Sequence, residues 1–202
     1  MGNVLVVSLR AAAVTIVLTG IAYPLAVTGV AQVLFPRAAG GSLVTDADGA
    51  VVGSGLIGQS FSHPAYLQGR PSSAGQGYDA AASSGSNLGP TSKSLRDRVT
   101  AAVEKLRAQN PGAPGPVPAE LVTTSGSGLD PHLSPESAHW QVPRIAAARK
   151  VSEERVRAVV TELVEGRELG FLGEPRVNVL AVNRALDARF GHPAPPASIP
   201  PR

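Results

Sequence analysis

From Ala11 to Pro36 not one side chain is charged, and Arg10 and Arg37 bracket the run. A helix rises ~1.5 Å per residue and the hydrocarbon layer of a membrane is ~30 Å thick, so about twenty apolar residues suffice to cross it. The pattern predicts a transmembrane helix at 11–36 behind a short N-terminal segment, 1–10. After Arg37 polar and apolar positions mix, which predicts one large water-facing part. A signal peptide has a shorter apolar core of ~7–15 residues behind a basic stretch. The run here starts directly after Arg10, so a retained anchor is expected, although Gly29-Val30-Ala31 has the form of a cleavage site. Arg10 and the short leading segment favour a cytoplasmic N-terminus with the remainder outside.

The span has a face. Ser8, Ala12, Thr15, Thr19, Ala22, Ala26 and Gly29 recur at alternating steps of four and three, which keeps them on one stripe. All are small, and in lipid small residues let another helix approach closely. The expectation is a helix docked on a partner membrane protein. Pro24 removes one backbone donor in mid-span and is expected to bend the helix.

Beyond the span, Leu43–Thr45 and Ala50–Val52 flank Asp46-Ala47-Asp48-Gly49, the pattern of a β-hairpin with Asp-Gly at its turn. Residues 53–90 are rich in Gly, Ser and Ala and read as a long irregular stretch. A helix is predicted from near Thr91, with Leu95, Val99, Val103 and Leu106 on one face and Asn110-Pro111-Gly112 ending it. A Pro-rich arm runs to Pro118, and Leu121–Thr124 reads as a strand. Ser134-Pro135-Glu136 starts a helix that Pro143 breaks or kinks. Ser152 caps the next, whose apolar face is Val156, Val159, Val160 and Leu163. Val177–Val182 reads as a strand, and Asn183 opens a last helical turn or two through Phe190. The Pro-rich end, 191–202, is expected to be disordered. The fold class expected is α+β: one N-terminal transmembrane helix, then a single mixed domain at 37–190.

Composition narrows the chemistry. In 202 residues with a net charge of +3, the basic residues are dispersed and make no stripe of the kind that binds nucleic acid. There is no cysteine, which excludes disulfides, thiolate metal sites and a cysteine nucleophile. Of the histidines His63, His132, His139 and His192, only His132 and His139 form even a loose pair at helical metal spacing, so no zinc site is expected. Gly85–Pro90 has the outline of a phosphate cradle but lacks the Lys-Ser/Thr of a P-loop. The densest constellation runs from Ser125 to His132. It admits two readings: a tight Gly-rich loop, or a membrane-anchored extracytoplasmic hydrolase using Ser125 or Ser127 with His132 and Asp130. Triad members normally come from distant segments, which favours the loop.

Three blocks carry a family resemblance: Gly55–Phe61, Tyr66–Ser72 and Ser84–Thr91. Two more are Thr124–Pro135 with Gln141 and Arg144, and Leu172–Leu180 with Asn183, Leu186 and Asp187. In this order behind one span, they resemble the C subunit of the Kdp potassium-transporting ATPase. The resemblance implies a place in a bacterial inner-membrane potassium uptake complex. Its partners would be a channel-like potassium-binding subunit, a P-type ATPase subunit that hydrolyses ATP, and a small peptide subunit. The complex would use ATP, Mg and K+, with no cofactor bound directly to this chain and no catalytic site of its own. The C subunit is regarded as supporting assembly, and has been described as a catalytic chaperone that raises the ATP affinity of the motor subunit. An extracytoplasmic domain would be out of reach of ATP. Gln59, Arg70, Asn87, Asp130, Gln141, Arg144, Glu174 and Asn178 are expected to scaffold loops or to form the subunit interface.

Overall fold

A computed structural model describes residues 2–46 and 48–193. The expected tail at 191–202 lies outside the described residues from residue 194 onward. The chain divides into two compact units, with the break between Ser54 and Gly55.

In the first unit one helix runs from Gly2 to Leu34, long and apolar enough to cross a membrane, and none of its residues is buried within the chain. It consists of α1 (Gly2–Ile16), a π-helical turn (Val17–Ala22) and α2 (Tyr23–Leu34). The wide turn is how the helix absorbs Pro24. The proline ring would collide with the carbonyl four residues back. Shifting to bonds that skip five residues opens that space, and Tyr23 N–H donates to Leu18 O. A short α3 (Pro36–Ala39) follows. Strands β1 (Leu43–Thr45) and β2 (Val51–Ser54) then pair antiparallel, with an irregularity between Val44 and Thr45. The turn is organised as its sequence demands. Asp46 Oδ1 accepts from the backbone N–H of Asp48 (3.0 Å) and Ala50 (2.9 Å), and Gly49 takes φ +81°.

The second unit is mixed helix and sheet. Helix α4 (Lys93–Gln109), capped by Ser92, presents Leu106 to the edge of the core. Strand β3 (His132–Leu133) leads to α5 (Pro135–Trp140), capped by Ser134. The break expected at Pro143 falls at Gln141, and Pro143 sits in the first turn of α6 (Val142–Arg149). Helix α7 (Glu153–Glu162), strands β4 (Val164–Glu165) and β5 (Arg176–Asn178), and helix α8 (Val179–Phe190) complete the unit. The sheet order is β3-β5-β4, antiparallel throughout. Its central Val177 is packed with Leu133, Trp140, Ile145, Val156, Val160, Val182 and Leu186 into the core.

Two sequence expectations are corrected. Leu121–Thr124 is not a strand: Ala119–Leu121 forms a 3-10 turn, and the Thr123 hydroxyl bonds back to Ala119 O at 2.9 Å. Coiling here lets Glu120 Oε1 accept from Ser134 N–H at 2.9 Å, which no extended segment without a neighbouring strand would gain. The strand expected at Val177–Val182 stops at Asn178. The Asn178 carboxamide accepts from Ala181 N–H at 3.0 Å, so helix α8 starts at Val179, four residues before Asn183.

Candidate functional site: a side-chain lattice around residues 64–70

Residues 64–70 form no strand, yet Ala65 and Leu67 are fully buried. Buried peptide groups must be paired, and here side chains do the pairing. Asn183, on α8, treats Leu67 as a neighbouring strand would: Oδ1 accepts from Leu67 N–H (2.7 Å) and Nδ2 donates to Leu67 O (2.9 Å). Gln141 repeats the device at Gln68, accepting from its N–H and donating to its carbonyl, both at 3.0 Å. Arg144, on α6, donates to Pro64 O (2.5 Å), Tyr66 O (3.0 Å), Asn110 Oδ1 (2.9 Å) and Gln141 Oε1 (2.7 Å).

Arg144 is 8% exposed, and its four acceptors are all neutral. Burial pushes its pKa down to about 10, so it stays protonated at neutral pH and offers its full set of donors. One turn further along α6, Arg149 donates to Ala65 O (2.8 Å), Leu186 O (3.2 Å), Gly191 O (2.9 Å) and Asp187 Oδ1 (2.8 Å). Its guanidinium lies 5.2 Å from the Tyr66 ring centre. The Tyr66 hydroxyl donates to Asp187 Oδ2 at 2.8 Å, and burial, then that bond, raises the Tyr66 pKa.

A second cluster holds the Ser-rich loop. Arg70 bonds Asp130 Oδ2 (3.3 Å), Thr124 O (3.2 Å) and, weakly, Thr123 O (3.5 Å). Asp130 Oδ1 accepts from His132 N–H at 3.0 Å, and the imidazole Nδ1 stands 3.7 Å away. Ser125 and Ser127 hydroxyls meet each other at 3.4 Å, and Ser127 Oγ accepts from Leu129 N–H at 3.1 Å. The hydroxyls thus serve the loop's own geometry, and His132 turns to Asp130. A shallow depression of about 550 Å³ lies over Arg70, Ser125, Ser127 and Asp130. Gly58 must be glycine for close approach, since a Cβ there would stand 2.7 Å from Asp130 O.

The expected site residues are therefore brought together in part. Gln141 joins Arg144, and Arg70 joins Asp130. Asn178 lies opposite His132 in the β3–β5 register and donates to Gly55 O at 3.0 Å. Gln59 is half-buried, and Asn87 is exposed with φ +51°. Glu174 is exposed and pairs with Arg167 at 2.6 Å. On the span, the Thr19 hydroxyl donates to Thr15 O at 2.8 Å, and the whole stripe from Ser8 to Gly29 is exposed.

Sequence reasoning missed the latch role of Arg149 and Asn110. It also missed the tip of the β4–β5 hairpin, where Leu169 is 82% and Phe171 67% exposed. Leu169 and Gly170 both take positive φ there, and a bridge between Glu168 and Leu172 closes the tip. Beneath it Arg176 pairs with Glu165 (2.8 Å) and Glu168 (3.0 Å). The signal available was Leu169-Gly170-Phe171-Leu172-Gly173, an apolar run between turn-forming glycines and flanked by charge.

A family model described as "KdpC: K+-transporting ATPase, c chain" matches residues 5–188. The chain belongs to this family. The KdpC match takes in the apolar helix, both latch clusters and the hairpin tip. A relative from Myxococcus xanthus named potassium-transporting ATPase KdpC subunit is 64% identical over 191 residues, covering 95% of this chain and 90% of its own. Relatives of the same name from Caulobacter vibrioides and Methylobacterium nodulans are each 60% identical, over 174 and 186 residues. Each alignment covers 86% of this chain, and 87% and 91% of the respective relative. The resemblance carried by the five sequence blocks is the KdpC family.

Proposed function

We propose that this chain is a non-catalytic accessory subunit of an ATP-driven potassium uptake complex, holding the channel-like and P-type ATPase subunits in a working assembly. One observation carries the reading. The polar residues that promise chemistry are engaged with the chain's own groups, while large apolar side chains stand exposed on the long helix, on the β1–β2 hairpin and Leu56, and on the hairpin tip at Leu169–Leu172. An enzyme leaves reactive groups facing a substrate; an assembly subunit leaves apolar anchors facing partners.

In this reading the helix spans the inner membrane with its N-terminus in the cytoplasm, and residues 37–190 stand outside. There the chain acts on the channel-like subunit, capping it or shaping ion entry, and makes no contact with ATP. Gln141, Arg144, Arg70, Asp130 and Asn178 keep the fold rigid, and the seven small residues from Ser8 to Gly29 seat the span against a neighbouring helix. The test is detergent copurification with a tagged full-length chain. A multi-span channel-like protein and a P-type ATPase should come with it, and His132→Ala should leave potassium uptake intact. Loss of a hydrolytic activity in that variant, with no copurifying membrane protein, refutes the reading. Protease added to sealed right-side-out vesicles should digest the domain; protection places it in the cytoplasm.

A further inference from the structure

Strands β1 and β2 make a two-stranded sheet of their own. A lone hairpin of this kind is marginally stable in water and gains from a surface to pack on. Its register places Leu43, Thr45 and Val51 on one face, where Leu43 is 53% and Val51 59% exposed. Val52, beside the irregularity, is exposed as well. The hairpin is bonded to the end of the long helix rather than loosely tethered. Phe35 N–H donates to Ala31 O (2.7 Å), Ala39 N–H to Phe35 O (2.9 Å) and Ser42 N–H to Arg37 O (2.9 Å). The Ser54 hydroxyl then ties β2 back to Gly41 O at 2.7 Å. Residues 35–42 are all that separate Leu34 from Leu43, and Pro36–Ala39 are coiled in α3. With one helical turn included, that connection reaches less than about 25 Å. The hairpin therefore stands beside whatever surface the helix leaves.

A cation sits at this junction. Arg37 is the first charged residue after Arg10, and its side chain is exposed and forms no ion pair with any described residue. It lines a depression of about 400 Å³ with Phe35, Pro36, Ala38 and Ser42. An unpaired guanidinium among exposed apolar side chains suits a membrane interface, where the apolar groups enter the acyl boundary and the cation meets lipid phosphate. We propose that the β1–β2 hairpin lies on the bilayer surface, with Leu43 and Val51 in the acyl boundary and Arg37 on a lipid phosphate. This rests on the reading of Gly2–Leu34 as a membrane span and adds a second membrane contact to it. The occupant is lipid because the chain's own bonds hold the hairpin at the end of the span, whichever subunits surround it. The acidic residues fit the same placement. Asp46 and Asp48 are confined to the turn, at the opposite end of the hairpin from Leu43 and Ser54, where they can stay in water.

The chain has no cysteine, so single-cysteine variants report one position each. Full-length Val51→Cys and Asp48→Cys chains, both changed at exposed positions, carry a polarity-sensitive fluorophore. Each is reconstituted alone in vesicles of phosphatidylethanolamine and phosphatidylglycerol. A spin-labelled lipid should quench the label at position 51 and aqueous iodide should not; the label at position 48 should show the reverse. Adding Arg37→Gln should shift the hairpin toward water by up to about fivefold, the worth of one basic residue at an anionic surface; no shift overturns the phosphate contact. If iodide reaches position 51 in the lone chain and is excluded only in the copurified complex, a protein covers the hairpin and the proposal is overturned. If iodide reaches it in both, the proposal is overturned too. In either case the span reading stands when the chain resists alkaline extraction from the vesicles. A chain that alkali extracts overturns both.

Discussion

Replacing Arg144 by methionine tests whether the lattice around residues 64–70 holds the second unit together. Methionine fills most of the arginine stem's volume, so the change removes donors more than bulk. Four acceptors lose their partner: Pro64 O, Tyr66 O, Asn110 Oδ1 and Gln141 Oε1. Each buried acceptor left unmet costs about 1–3 kcal/mol. Against this, a buried cation is removed. Its pKa is held down to about 10 from an ordinary 12.5, an electrostatic burden of roughly 3 kcal/mol. The acceptors are not additive, since Gln141 keeps its bonds to Gln68 and Asn110 can turn its amide. The net expectation is a loss of about 3–5 kcal/mol, the range found on removing one member of a buried charged contact. Trp140 is the only tryptophan and is 3% exposed in the same core, so urea unfolding of the full-length chain in mild detergent can be followed by its fluorescence. Arg144→Lys should recover little, because one ammonium cannot reach four acceptors spread around a planar fork. An Arg144→Met midpoint equal to wild type, with unchanged slope, refutes the latch.

Other outcomes follow from the same geometry. Gly128→Ala should destabilise by roughly 2–4 kcal/mol, because φ is +69° and the new Cβ would stand 2.5 Å from Ser84 O. Gly126→Ala, two residues away and with nothing within 4 Å, should be silent in the same unfolding assay. Burial, then the charge of Arg157, lowers the pKa of His139 from 6.5. The unfolded chain thus takes up a proton near pH 6.5 that the folded chain refuses. This contribution is complete above pH 6.5 and is lost as pH falls from there to the lower folded value; His139→Gln should flatten that part of the stability profile. Phe171→Asp should leave the unfolding midpoint within about 0.5 kcal/mol yet reduce copurification of membrane partners, and equal copurification would remove the hairpin tip from the interface.

What the sequence disclosed was local chemistry. The Asp46–Gly49 turn and the helix start at Ser134 each depend on residues within a few positions and stand where the pattern predicted, while the break expected at Pro143 came two residues earlier, at Gln141. Two local signals misled. Leu121–Thr124 has β-favouring side chains, but no strand edge lies beside it, so the chain coils and Glu120 reaches Ser134. Val177 to Val182 continues a valine-rich run, but the Asn178 carboxamide reaches Ala181 N–H and turns the chain into a helix. The lattice left no local trace at all. Asn183 and Leu67 are 116 residues apart, Gln141 and Gln68 73, and Arg144 and Pro64 80. No periodicity relates such pairs, and Gln141 and Arg144 were singled out only through the family resemblance.

Both units face the same requirement, that every peptide group out of water be paired, and they meet it differently. In the second unit an extended segment without a neighbouring strand is completed from within: Asn183 and Gln141 imitate a strand edge, and Arg144 and Arg149 close the remaining carbonyls. The bonds of this lattice run to the chain's own backbone and neighbouring side chains, the arrangement of a scaffold. In the long helix the wide turn does this work: Tyr23 N–H reaches back five residues to Leu18 O, and the ring of Pro24 is accommodated. The Thr19 hydroxyl adds a bond of its own within the same helix, donating to Thr15 O.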